Sequence, residues 1–221
     1  MNTRAFVFDM DGTMVDSMPA HARSWEEFGR RHALGIPVDE ILRRTTGRNG
    51  VECIRELMGE DIPEDQALAL IGEKEAIYRG IFAHEFREVA GFGAFVRAAR
   101  ERALRLAVAT AGDRQNLAFV LQHLKLGLPP DAVVRGDEGL PGKPQPDIFL
   151  AAAAKLQVPA AECIVFEDAP FGIEAARRAG MRAVAICSTH SAQELAGPHV
   201  IAQARDYEEL MKKNFLESLH A

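Results

Sequence analysis

Six short apolar runs recur along this chain, and the stretches between most of them carry helical spacing. The runs fall at residues 5–8, 106–110, 132–135, 163–167, 183–187 and, weakest of the six, 199–202. Each is four or five residues long and often rich in valine, as strands buried on both faces of a parallel sheet are. Helical patterns occupy residues 93–102, 114–124, 146–156, 172–179 and 206–218. Alternation of this kind predicts a doubly wound α/β fold with a mainly parallel sheet.

After the first run the alternation stops. Residues 17–87 contain no strand pattern, and residues 19–32, 39–44, 51–58 and 64–82 read as helices. The breaks between them are rich in glycine and proline. The expected organisation is an α/β core from residues 1–16 and 88–221, with a small helical domain at 17–87 inserted after the first strand. Short segments at 15–17 and 88–91 would join the two.

Directly behind the first run stands Asp9-Met10-Asp11-Gly12-Thr13. Gly12 turns the chain, so two carboxylates two residues apart emerge at the carboxyl edge of the sheet, where open α/β folds bind ligands. One could attack an electrophile or hold a cation, and the other could move a proton. By itself such a segment is also an ordinary Asp/Gly turn. It is not an EF-hand loop, because Thr13, Met14 and Ala20 occupy positions that need a third oxygen ligand, Gly and Glu.

Composition narrows the classes. A net charge of −6 argues against a nucleic-acid surface. No run of 18 apolar residues exists to span a membrane, and the N-terminal apolar stretch is too short for a signal peptide. Cys53, Cys163 and Cys187 form an odd, scattered set, which suggests buried thiols in a reducing compartment, so a cytoplasmic location is expected. A monomer is the expected state, since no long apolar stripe is left unassigned.

Three more positions carry chemistry. Thr110 ends the second run, ahead of Ala111, Gly112 and a helix; its hydroxyl and nearby N–H groups could bind phosphate, while Asp113 is the better helix cap. Lys143 lies in Gly142-Lys143-Pro144-Gln145-Pro146, where no Walker loop fits, because Pro144 follows the lysine and the glycine spacing is wrong. It reads either as a stiffly placed lysine ahead of a helix whose first residue would be Pro146, or as an exposed loop lysine. Glu167-Asp168 closes another run, and two acidic clusters at one sheet edge need a cation between them; Mg²⁺ suits such a set best.

Taken in order, DMDGT, Thr110, Lys143 in GKPQPD, and FEDAPFGIEAARRAG resemble the four motifs of the haloacid dehalogenase superfamily, and the match runs through the whole chain. The helical insert looks like the α-helical cap of that family's phosphatase and β-phosphoglucomutase branch. The resemblance implies that Asp9 is a nucleophile forming an aspartyl-phosphate. Asp11 would be the general acid and base, its backbone carbonyl helping to bind Mg²⁺. Thr110 and Lys143 would hold the phosphoryl group, with Gly12, Thr13, Ala111 and Gly112 lining the phosphate site. Asp9 and Asp168 would ligate Mg²⁺, with Glu167 beside them through water.

Selection is expected from the insert. His21 and Trp25 lie one helical turn apart, and Lys74 falls four residues before Tyr78, where the resemblance expects a lysine facing the site. Taken singly, Trp25 also reads as core and His21 as a solvated helix residue. Gly50 stands where mutases of this branch keep a phosphate-gripping arginine, and Arg48 precedes it by two. The expected function is a Mg²⁺-dependent phosphomonoesterase on small sugar or polyol phosphates. The alternatives are a β-phosphoglucomutase and a catalytically silent binding protein. The partner expected is a small phosphorylated metabolite, with neither nucleic acid nor membrane.

Overall fold

The computed structural model describes residues 3–219. Six parallel strands form one sheet: β1 (Ala5–Phe8), β2 (Arg105–Thr110), β3 (Ala132–Arg135), β4 (Cys163–Glu167), β5 (Arg182–Ile186) and β6 (Val200–Ala204). Their order is β3-β2-β1-β4-β5-β6. The chain builds outward from β1 on one side, then returns to β4 and builds outward on the other. The order therefore reverses between β1 and β4, the place where doubly wound sheets open a crevice at their carboxyl ends.

Between strands run α5 (Phe92–Glu101), α6 (Arg114–Leu124), α7 (Asp147–Leu156) and α8 (Pro170–Arg178), followed by α9 (Tyr207–Lys212) and α10 (Phe215–Ser218). Alternate residues of β1 feed opposite layers, as the two-residue period of a strand requires. Phe6 and Phe8 join Phe95, Phe166, Tyr207 and Phe215 on one face. Ala5 and Val7 join an alanine-rich layer with Ala107, Ala109, Ala152 and Ala176 on the other. Large rings fill one layer, and small side chains let α7 and α8 approach the sheet in the second.

The helical pattern at 206–218 is broken in two. Asn214 adopts φ 52°, a left-handed conformation that ends α9 and lets Phe215 and Leu216 turn back onto the aromatic layer. Tertiary packing overrides local periodicity there. Pro146 caps α7 without being its first turn, and the last strand runs two residues further than its apolar pattern.

After β1 come α1 (Met18–Arg31), α2 (Val38–Thr45), α3 (Gly50–Met58) and α4 (Glu64–Phe82). They enclose a separate apolar cluster of Trp25, Phe28, Ile41, Cys53, Ile54 and Ala67. The chain leaves and returns side by side: Asp16 N–H donates to the Arg87 carbonyl at 3.1 Å and Val89 N–H to the Met14 carbonyl at 3.0 Å. No helix among the described residues is long and apolar enough to cross a membrane.

Candidate active site

Asp9 follows the last residue of β1, and its N–H donates to the Phe166 carbonyl of β4 at 3.0 Å. That bond sets its backbone against the strand ending in Glu167. Gly12 then turns the chain at φ 81°, and a β-carbon there would stand 2.2 Å from Asp168 Oδ2. Only glycine allows so close an approach. Thr13 Oγ1 donates to Asp168 Oδ1 at 2.9 Å, so the first turn grips the second acidic cluster directly.

Lys143 enters from the loop between β3 and α7 and is buried. Its ammonium donates to Asp9 Oδ1 at 2.5 Å and to Glu167 Oε1 at 2.6 Å. Of the two readings open from sequence, this is the placed lysine. Glu167 Oε2 accepts from the Asp168 and Ala169 amides, each at 2.9 Å. Asp168 Oδ2 accepts from Thr189 just past β5, and His190 Nδ1 stands 2.9 Å from the Asp168 carbonyl.

Burial holds the Asp9 carboxyl well above its ordinary range; Lys143 opposes this, and the charges of Glu167 and Asp168 add to it. Asp168 is pushed up to about 7 by burial and then by Glu167, against its Thr189 and Thr13 donors. Three buried acids against one lysine leave this crevice rich in negative charge, the condition a bound cation relieves. Among the described residues no three His, Cys, Asp or Glu side chains form a ready cage. A cation here would draw on Asp9, Asp168 and a backbone oxygen such as that of Asp11, with water completing the shell.

Asp11 faces the helices. Its Oδ1 accepts from Ser17 Oγ at 2.7 Å and Tyr78 OH at 3.3 Å. His21 Nε2 stands 3.1 Å away, an ion-pair distance without the alignment of a hydrogen bond. Lys74 Nζ donates to His21 Nδ1 at 2.7 Å and to Glu75 Oε1 at 2.9 Å. The His21 ring lies flat on Tyr78, centroids 3.8 Å apart. Burial alone would raise the Asp11 carboxyl; His21, Ser17 and Lys74 outweigh it and hold the group below its ordinary value. His21 and Lys74 are thus buried members of the site.

Thr110 Oγ1 accepts from the Gly112 N–H at 2.9 Å. A phosphate using that N–H would compete with this bond. Asp113 caps α6, accepting from the Asn116 N–H at 2.7 Å, which leaves the Thr110 hydroxyl unused by the helix. A β-carbon at Gly136 would meet the Ala111 carbonyl at 2.0 Å, so glycine there lets the β3 loop close beneath Ala111.

A cavity of about 460 Å³, within the usual range of small-molecule sites, separates these strand ends from α1–α4. Trp25 packs on Phe28, as its core reading expects, and also walls the cavity, with the Lys74 ammonium 4.9 Å above its ring. Arg48 borders the cavity, half-exposed and 3.3 Å from Glu56. Sequence reasoning passed over Ser17, Glu75, Asn116 and Thr189. Thr189 had a signal, a hydroxyl just past a strand end as in Thr110. The other three had none.

The cavity floor thus gathers a buried strand-end aspartate tied to a lysine, a second aspartate two residues on and an acidic pair at the end of the neighbouring strand. The chain belongs to the haloacid dehalogenase-like hydrolase family, whose model matches residues 3–180. It is similar to hexitol phosphatase A of Escherichia coli (strain K12), 32% identical over 84% of each chain. It is also similar to the fructose-1-phosphate phosphatase YqaB of the same organism, at 34% identity over 80% of this chain and 93% of that one. A β-phosphoglucomutase from Clostridium difficile shares the fold, with a TM-score of 0.83 at 22% identity over 99% and 97% of the two chains.

Proposed function

We propose that this enzyme hydrolyses phosphomonoesters of small sugars or polyols through an aspartyl-phosphate on Asp9. The observation that carries the reading is the state of Asp9: one carboxylate oxygen is held by Lys143, while Oδ2 accepts no hydrogen bond from the described residues. The names of the hexitol and fructose-1-phosphate phosphatases support the substrate class.

Asp9 Oδ2 attacks phosphorus as the bond to the ester oxygen breaks. Protonated Asp11 gives its proton to that leaving oxygen. Water then attacks phosphorus, Asp11 takes the water's proton, and the bond to Asp9 breaks to release inorganic phosphate. Lys143 and the Thr110 hydroxyl hold phosphoryl oxygens throughout and stabilise the charge they gather. Asp9, Asp168 and the Asp11 carbonyl, with Glu167 through water, would hold Mg²⁺, which would supply neutralisation of the phosphoryl charge. Because Asp11 is held ionised by His21, Ser17 and Lys74, it must take up a proton before the first step.

Residues 17–87 act as a cap over a core of residues 1–16 and 88–221, shutting out bulk water when substrate binds. Hydrolysis is favoured over mutase chemistry, because a mutase must grip a second phosphate. A β-carbon at Gly50 would stand 2.7 Å from Ile71, so α4 leaves no room at that position for an arginine. The test is a phosphorus NMR time course on β-glucose 1-phosphate, Mg²⁺ and a trace of the 1,6-bisphosphate. Inorganic phosphate should accumulate; rapid build-up of glucose 6-phosphate with little phosphate would replace this reading by the mutase.

A further inference from the structure

The helices meet the sheet domain at two edges of the cavity. At one edge α4 grips the start of α6: Arg79 donates to Asn116 Oδ1 at 2.7 Å and to Gln115 Oε1 at 2.8 Å, and Glu75 Oε2 accepts from Asn116 Nδ2 at 2.7 Å. Those contacts join side chains and leave the catalytic loops untouched. At the other edge the contacts run to the backbone of the loop that carries Lys143. Glu52 Oε1 accepts from the Gly142 N–H at 3.3 Å, and the Gly47 carbonyl accepts from the Lys143 N–H at 3.1 Å.

Glu52 is built to hold both sides. Its second oxygen, Oε2, accepts from the Asn49 N–H at 3.0 Å, while the Asn49 side chain accepts from the Glu52 N–H at 3.0 Å. This reciprocal cap starts α3 and fixes the Glu52 rotamer. Glycine at 142 makes the approach possible, because a β-carbon there would stand 2.3 Å from Glu52 Oε2 and 3.3 Å from the Arg48 α-carbon. At Gly47, φ is 84° and a β-carbon would come 3.2 Å from Phe171, beside the Glu167–Asp168 turn. The two bonds seat the α2–α3 loop and the first turn of α3 on the loop bearing Lys143.

We propose that Glu52 is a positioning residue: it latches the helical block to the Gly142 amide and thereby sets the loop that aims Lys143 at Asp9. The proposal rests on the phosphatase reading only for its kinetic consequence. The latch itself is a statement about two amides.

Hydrogen exchange in the full chain tests it directly. In wild type the Gly142 and Lys143 amides should exchange slowly, and in E52A both should lose about tenfold or more of their protection. The α5 amides should be unchanged. A role limited to capping α3 would speed exchange within residues 49–58 and leave 139–146 as in wild type, and that result overturns the proposal. If E52A does not fold, wild type still decides, since free exchange at Gly142 there means no latch exists. Turnover of a phosphomonoester with Mg²⁺ supplies the second readout. E52A should lower kcat by about tenfold with a smaller change in KM, because Lys143 acts on the charge that develops in the transition state. Wild-type kcat in E52A would overturn the positioning role. A wild-type chain with no turnover would instead count against the phosphatase reading, with the exchange result standing on its own.

Discussion

The two walls of the cavity hold their side chains in different ways. On the sheet wall, Asp9, Thr110 and Glu167 end neighbouring parallel strands, with Phe8 in register with both Val108 and Phe166. Backbone hydrogen bonds fix their heights, and no side-chain packing is needed to bring them together. On the helical wall, His21, Lys74, Glu75 and Tyr78 come from α1 and α4, and each is held by the next through ion pairs, stacking and a small apolar cluster. The sheet wall therefore tolerates exchange of a reacting group with its fold intact, whereas the helical wall couples its polar groups to its own stability.

The sharpest way to break this contrast is Asp9→Asn. Turnover of p-nitrophenyl phosphate should fall on the order of 10³-fold or more, because an amide of the same shape cannot form the acyl-phosphate. Circular dichroism and the thermal midpoint should stay close to wild type. Retention of more than a few per cent of kcat, with deamidation excluded, would remove Asp9 from the role of nucleophile.

Lys74→Met makes the opposite demand on the helical wall. Glu75 is partly buried, and its partners are Lys74 and Asn116. Leaving that carboxylate beside an apolar side chain should cost about 3 kcal/mol or more in urea unfolding. A loss under about 0.5 kcal/mol would mean the two walls do not differ in this way.

Metal removal probes the sheet wall again. EDTA should abolish activity, and Asp168→Ala should raise the Mg²⁺ needed for half-maximal rate by about tenfold or more, since a direct oxygen ligand is lost. Full activity in metal-free buffer would contradict both. The smallest effect belongs to Arg48, which is half-exposed and already paired with Glu56. Arg48→Ala should raise KM several-fold with kcat little changed if the guanidinium binds ground and transition states alike. An unchanged KM would return Arg48 to the role of a surface ion pair.

What the chain determines by itself is the set of groups on the sheet wall. Parallel strands place all their carboxyl ends on one side, so the residue following each apolar run is assigned to that edge without knowledge of any contact. Asp9, Thr110 and the Glu167-Asp168 pair were legible for this reason, and Lys143 because its motif stands between them in order. The long pattern at 206–218 shows where such reasoning stops: periodicity speaks for one helix, but Phe215 and Leu216 reach the aromatic layer only by breaking it at Asn214. Tertiary structure alone decided that Asp11 turns toward Ser17, His21 and Tyr78, that Glu75 and Arg79 meet Asn116, and that Glu52 finds the Gly142 amide 90 residues away. Local spacing records which face of its own helix a residue occupies. Which partner that face meets depends on how the helices pack on one another and on the sheet, and no periodicity in the sequence encodes it.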